Sequence, residues 1–186
     1  MTSQTALARI VAALDAAGIP HMVAGSLAST FHGEPRTTQG IDLVVDPSGD
    51  ALDRFVRSLD PAVFYVSAEA ADEAWRRRGL VNVIDRACGW KVDLILRKDR
   101  PFSHAEFGRR AAGRILGVDV FVATAEDTIL AKLEWARLGE SERQLRDVVG
   151  VIELCGDALD RVYIARWMRE LGVEALWERA DAEARG

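Results

Sequence analysis

Strand-like and helix-like periodicity occupy different parts of this chain, and that division limits the folds it can adopt. Short apolar runs with the length or alternation of β-strands occur only before residue 124, at residues 21–24, 41–45, 63–66, 81–84, 90–96 and 115–123. Helical patterns lie between them, and only helical patterns follow. We therefore predict an α+β fold, with a mixed β-sheet flanked by helices in residues 1–123 and a C-terminal helical subdomain in residues 124–186 packed on that core.

The helices are predicted from apolar spacing and from capping residues. Leu7, Ile10, Val11 and Leu14 recur at the spacing of one helix face, and Gly18 ends that helix. The same criteria predict helices at residues 27–31, 50–59, 70–78, 102–112, 162–171 and 174–185. Two further helix starts are predicted by capping pairs, Thr124 with Asp127 and Ser141 with Gln144.

Charge and cysteine content exclude several classes of protein. Twenty-nine acidic and twenty-four basic side chains give a net charge of -5, which argues against broad electrostatic capture of duplex nucleic acid or anionic membrane. The first residues lack the basic and apolar regions of a secretory signal, and no apolar stretch of about 18 residues occurs. Cys88 and Cys155 have no disulfide or zinc-ligand spacing. We expect a cytoplasmic protein.

The residues that carry chemistry lie in two segments. Gly25-Ser26 follows the first strand-like run, and after thirteen intervening residues Gly40-Ile41-Asp42 opens the second. A Gly-Ser pair between a strand and a helix lets backbone N–H groups approach a phosphate, and the positive end of the helix favours the anion. Asp93 lies later, inside the apolar strand-like run Lys91-Val92-Asp93-Leu94-Ile95.

Positions 40 and 42 face the same side of a strand, and Asp93 on a neighbouring strand would complete a group of cation ligands. Three carboxylates suit two Mg²⁺ ions, which polarise an α-phosphate and stabilise the attacking and leaving oxygens. Lys91 and Arg97 flank Asp93, and two interpretations stay open for them. They are either charges on a half-exposed strand or the basic wall of a cleft.

This pattern resembles the nucleotidyltransferases related to polymerase beta, in which a Gly-Ser pair precedes an acidic-x-acidic segment and a third acid. Lys132-Leu133 followed by Arg146-Asp147 resembles the helical element of bacterial nucleotidyltransferases related to abortive-infection (toxin–antitoxin) toxins. The resemblance implies nucleotide binding with Mg²⁺ as the metal cofactor.

The resemblance also implies a role for individual residues. Asp42 and Asp93 would be the catalytic metal ligands, and Gly25 and Ser26 would contact the phosphates of the nucleotide. Lys132 would meet the triphosphate, while Asp147 would lie near the cleft or orient Arg146, although both are equally compatible with a structural role. Arg36, in the loop before the second strand, either neutralises a triphosphate or is solvated.

Gly40 departs from the pattern, because it stands where the first acidic ligand is expected and has no side chain. Two functions stay open. The chain is either a nucleotidyltransferase that transfers a nucleotidyl group from a nucleoside triphosphate to an acceptor hydroxyl, impaired by Gly40, or an inactive relative that binds nucleotide or a protein partner in a toxin–antitoxin or defence setting. The acceptor, an RNA or a protein, is left open. Glu34 and Asp46 are nearby carboxylates that lie outside the required spacing.

Overall fold

In the computed structural model, residues 3–33, 37–38 and 40–186 are described. Within them the helices are α1 (Ser3–Ala16), α2 (Gly25–His32), α3 (Gly49–Ser58), α4 (Ala68–Arg77), α5 (Pro101–Arg109), α6 (Ala125–Gly139), α7 (Glu142–Cys155), α8 (Arg161–Leu171) and α9 (Glu174–Arg185). The strands are β1 (His21–Ala24), β2 (Gly40–Val45), β3 (Phe64–Tyr65), β4 (Leu80–Asp85), β5 (Trp90–Leu96), β6 (Ala111–Ile115) and β7 (Val118–Val122). This is the predicted α+β fold, a mixed sheet flanked by helices and followed by a helical segment.

The strands form one sheet in the order β3-β4-β5-β2-β1-β7-β6. Most neighbouring strands are antiparallel, whereas β2 with β5 and β1 with β7 are parallel. The longest parallel register joins β2 and β5, from Gly40 beside Lys91 to Val45 beside Leu96. Since paired residues of adjacent strands point to the same side, this register fixes which side chains share a face.

The two faces of the β4-β5-β2 segment differ in character. One face carries the buried Asp85 at the end of β4 and otherwise mainly buried aliphatic side chains, and these are Ile41, Leu43, Val45, Val81, Val83, Val92, Leu94 and Leu96. The opposite face, called the site face from here on, carries positions 40, 42 and 44 of β2, 91, 93 and 95 of β5, and 80, 82 and 84 of β4. Asn82 and Lys91 are exposed and Asp42 and Asp93 are half-buried on that face.

The chain forms two compact units, comprising Met1–Ala24 with Thr38–Val122 and Gly25–Thr37 with Ala123–Gly186. The first unit contains the sheet with α1, α3, α4 and α5, and the second contains α2 and α6–α9. In the second unit, α2 contacts α6 and α7, and α9 contacts α7. The second unit thus includes residues 25–37, which the sequence analysis assigned to the sheet domain, and otherwise begins at Ala123.

The structure corrects the predicted elements at two places. Residues 111 and 112 belong to β6 rather than to the helix predicted at 102–112, because the backbone becomes extended at Arg110. The predicted strand 115–123 is the end of β6 and all of β7, joined by a tight turn at Leu116 and Gly117, both with positive φ. Such a two-residue turn suits an antiparallel hairpin.

The two predicted capping pairs have different outcomes. The Thr124 side chain accepts a hydrogen bond from the Asp127 backbone N–H and donates one to the Asp127 carboxylate, so the cap of α6 is confirmed. Ser141 makes no side-chain cap for α7, and that part of the prediction is wrong. The Gln144 side chain accepts a hydrogen bond from Lys132 instead, which shows that a long-range contact outweighs the local one.

Leu133 and Leu138 in α6 test whether the helical unit is held together by its buried apolar side chains. Leu133 is fully buried and Leu138 is 61 % exposed. Leu133→Ala is expected to lower the free energy of unfolding by about 2–5 kcal/mol through lost burial and a cavity. The matched Leu138→Ala variant is expected to change it by no more than about 0.5 kcal/mol. Urea unfolding followed by circular dichroism measures both, and equal losses would contradict the assigned packing.

Candidate functional site

Asp42 and Asp93 lie side by side on the site face of the sheet. Parallel pairing of β2 and β5 places Asp42 beside Asp93. Both side chains are half-buried, and they leave the sheet on the side opposite the aliphatic core. The sequence predicted that the two carboxylates would come from neighbouring strands, and the register brings them together.

Gly40 is two residues before Asp42 on the same face and pairs with Lys91. Among the described residues, a Cβ atom at Gly40 would meet only the Lys91 carbonyl oxygen within 4 Å, at 3.8 Å, which is an ordinary van der Waals distance. Gly40 is also not one of the described glycines that have a positive φ angle. Position 40 therefore has room for the Cβ atom of a larger residue and a backbone conformation that other residues adopt.

Two donors within the sheet engage the Asp93 carboxylate. Lys91 Nζ lies 3.1 Å from Asp93 Oδ2, and Asn82 Nδ2 donates to Asp93 Oδ1 at 2.5 Å. Asn82 is the partner of Asp93 across the antiparallel β4–β5 pair. The sequence analysis left two interpretations for Lys91 and did not identify Asn82. The hairpin around residues 87–89 was predicted, and counting back through its register would have found Asn82.

The other charged candidates near these strands lie elsewhere. Arg97 pairs with Asp46 at 2.9 Å, just beyond the C-terminal ends of β5 and β2. Asp46 is four residues past Asp42, a separation of about 13 Å along an extended chain, so it does not replace a ligand at position 40. Glu34 and Arg36 lie outside the described residues.

Gly25 and Ser26 begin α2 in the second unit, directly after Ala24 in the chain. Gly25 has a φ of 58°, which favours glycine at this abrupt passage from strand to helix. The Ser29 hydroxyl donates to the Ser26 carbonyl oxygen within α2. The local conformation matches the predicted strand-to-helix turn, and the phosphate contact stays a prediction.

Lys132 and Asp147 form a buried ion pair between α6 and α7. Lys132 Nζ lies 2.7 Å from Asp147 Oδ2 and 2.8 Å from Gln144 Oε1, and the two charged side chains are only 5 % and 7 % exposed. Burial of either charge without the other would be costly. Of the two roles left open for this pair, the geometry favours the structural one.

The residues present fit one Mg²⁺ ion better than two. Mg²⁺ is commonly held by one or two carboxylates together with water and substrate phosphates, and Asp42 with Asp93 supplies two. Among the described residues, no three His, Cys, Asp or Glu side chains come together as a metal-binding group. Two ions would share three carboxylates, and the third carboxylate is missing because residue 40 is glycine.

Solved structures with the same fold come from nucleotidyltransferases. ANT(2")-Ia in complex with adenylyl-2"-tobramycin has a TM-score of 0.61 and 15 % identity, covering 91 % of this chain and 99 % of that chain. The antibiotic-resistance factor ANT(2'')-Ia in solution has a TM-score of 0.58 and 16 % identity over 95 % of each chain. An antigenic nucleotidyltransferase-like protein from Paracoccidioides brasiliensis has a TM-score of 0.58 and 16 % identity, covering 96 % of this chain and 91 % of that chain.

The chain has a nucleotidyltransferase-like fold. At these identities the likeness concerns the fold alone. The sequence matches no family model, and no curated protein matches it either. Among the described residues of this nucleotidyltransferase-like fold, no helix has both the length and the apolar character needed to cross a lipid bilayer.

The cysteines add no second centre of chemistry to the fold. Both are free and half-buried. Burial, with a smaller contribution from the Glu126 carboxylate, raises the pKa of the Cys155 thiol. That thiol therefore stays protonated near neutral pH, where a thiolate nucleophile would have to be ionised.

Lys132 provides a test of the structural role of its ion pair. Lys132→Met is expected to lower the free energy of unfolding by about 3–5 kcal/mol, because it leaves the Asp147 charge buried without its cation. Adding Asp147→Leu removes that charge and is expected to recover at least half of the loss. Urea unfolding measures the variants, with Arg143→Met on the exposed side of α7 as the control. Unchanged stability in Lys132→Met would leave the nucleotide role as the better explanation.

Proposed function

We propose that this chain binds a nucleoside triphosphate with Mg²⁺ through Asp42 and Asp93 and transfers the nucleotidyl group to an acceptor hydroxyl. The observation that carries the proposal is the pairing of Asp42 with Asp93 on the site face of a nucleotidyltransferase-like sheet. Two adjacent half-exposed carboxylates on rigid central strands suit a hard cation carrying phosphate ligands. The similar structure of ANT(2")-Ia, which contains adenylyl-2"-tobramycin, also supports nucleotidyl transfer as the reaction class.

In the proposed reaction, an oxygen of the acceptor hydroxyl forms a bond to the α-phosphorus while the bond to the bridging oxygen of the β-phosphate breaks. Pyrophosphate leaves, and the Asp93 carboxylate takes up the hydroxyl proton. When bound, Mg²⁺ supplies the positive charge that polarises the phosphate. Asn82 and Lys91 hold Asp93 in place.

Gly25 and Ser26, at the first turn of α2, are kept from the sequence pattern as candidates for contact with an anion such as phosphate. Backbone N–H groups at a helix start carry a partial positive charge and suit an anion. Among the described residues of the site face, none specifies the nucleotide base or the acceptor, and none indicates a toxin–antitoxin setting.

Gly40 favours the alternative function, an inactive protein of this fold that binds nucleotide or a protein partner. Position 40 brings no carboxylate, and the Lys91 ammonium already pairs with Asp93. Changes around a metal site commonly reduce affinity or activity about 10–100-fold, and loss of a direct ligand costs more. If the inactive protein binds nucleotide, the two functions differ only in the transfer step, and if it binds a protein partner instead, they also differ in nucleotide binding, so separate measurements of binding and transfer distinguish them.

Asp42→Asn tests the nucleotide site. It removes one negative charge from the proposed metal ligands and is expected to weaken Mg²⁺-dependent triphosphate binding at least about tenfold. Isothermal titration calorimetry with ATP, GTP, CTP and UTP, each with and without Mg²⁺, measures the loss. Asp119→Asn in β7 is the control, because that side chain is 85 % exposed. Equal binding by the two variants would contradict the site, and no binding by the unaltered chain would reject the proposed function.

Gly40→Asp tests whether the missing ligand limits the transfer. The Cβ has room at this position, so the added carboxylate is expected to increase Mg²⁺-dependent transfer at least about tenfold. Incorporation of an α-³²P-labelled triphosphate into total RNA and into total protein measures it. Gly108→Asp is the matched control, because a Cβ there meets nothing within 4 Å. Triphosphate binding without transfer in both the unaltered chain and Gly40→Asp would favour the inactive alternative.

A further inference from the structure

We propose that Lys91 is a built-in cation of this site and supplies the positive charge that a second divalent ion would otherwise bring. Nucleoside triphosphate binding then needs one divalent ion per nucleotide. This inference rests on the proposed function and deepens it, since it concerns the metal requirement of the same carboxylates.

The first argument is positional. Lys91 is the register partner of Gly40, and Asp93 is the register partner of Asp42, so these four positions form a square on the site face. Gly40, which lacks a side chain, therefore lies beside Lys91, which carries an ammonium group. Lys91 Nζ reaches Asp93 Oδ2 at 3.1 Å. The cation therefore lies against the carboxylate that would have helped to hold a second metal ion.

The second argument concerns charge. With glycine at position 40, the side chains of the square carry a net charge of -1, from Asp42, Asp93 and Lys91. One divalent ion reverses the charge of these side chains to about +1, and a second would depend on the triphosphate for its charge and ligands, because position 40 provides neither. An acid at position 40 would add both the negative charge and the missing ligand. Glycine at 40 and lysine at 91 thus both reduce the number of divalent ions expected at this site.

The third argument is that stability accounts poorly for the contact. The Lys91 side chain is 53 % exposed and the Asp93 side chain 21 %, and ion pairs with this much solvent contribute little to folding. Asn82 already holds the other oxygen of Asp93. A lysine that adds little stability beside a candidate catalytic carboxylate is better explained by its charge.

The experiment counts divalent ions. Equilibrium dialysis of the full chain with Mn²⁺ and each of ATP, GTP, CTP and UTP, without acceptor, gives bound nucleotide, and electron paramagnetic resonance of free Mn²⁺ gives bound metal. One Mn²⁺ per bound nucleotide is expected for the unaltered chain, and two for the double variant Gly40→Asp with Lys91→Met. Lys91→Gln is expected to raise the nucleotide dissociation constant about tenfold. Lys98→Gln, an exposed lysine beyond β5, is the control and is expected to match the unaltered chain.

Three results would overturn the inference while leaving the proposed function in place. They are two Mn²⁺ per nucleotide in the unaltered chain, one Mn²⁺ in the double variant, or equal nucleotide affinity in Lys91→Gln and Lys98→Gln. No nucleotide retained by the unaltered chain at any Mn²⁺ concentration would reject the proposed function and this inference together. Circular dichroism melting of each variant establishes that it is folded before the ions are counted.

Discussion

The parallel pairing of β2 with β5 is the constraint on which the sheet and its site both depend. On one face it aligns Ile41, Leu43 and Val45 with Val92, Leu94 and Leu96, all buried. On the other it sets Asp42 beside Asp93. Because side chains alternate along a strand, a slip of one residue would bury the carboxylates and expose the aliphatic residues. The free energy of core burial therefore also enforces the alignment of the two acids.

The fold was predictable from the sequence where a single physical signal dominated. Residues 41–45 and 90–96 have apolar runs bounded by turn-forming residues, and both are strands in the structure. The prediction failed at Ala111 and Ala112, since the exposed β6 strand buries little and has no clear alternation. It also failed at Ser141, where Gln144 bonds to Lys132, twelve residues away in the chain. Local patterns cannot reveal bonds that form only after two helices pack.

The candidate site likewise has a part that was predictable from the sequence and a part that was less so. Asp42 and Asp93 were predicted from the resemblance to the acidic pattern of nucleotidyltransferases, and for Asp93 the apolar surroundings added that its charge needs a cation, a partner or solvent. The partners of Asp93 were less predictable, since Asn82 comes from another strand and its identification needs the exact register. The buried Lys132–Asp147 pair shows the opposite case. Its residues resembled a nucleotide-binding element, whereas their burial between α6 and α7 favours a structural role.

Glycine at position 40 has no structural cause among the described residues. The space for a Cβ is open, and the backbone has no positive φ that only glycine adopts readily. Glycine inside a strand costs roughly 0.5–1 kcal/mol relative to alanine, so the fold would gain from almost any side chain here. The Lys91–Asp93 pair, as a partly solvated ion pair, contributes only about 0–1 kcal/mol, so stability alone gives little reason for either residue. Neither packing nor backbone geometry among the described residues requires glycine at position 40, and the role proposed for Lys91 would account for both residues through the charge that this face presents to a ligand.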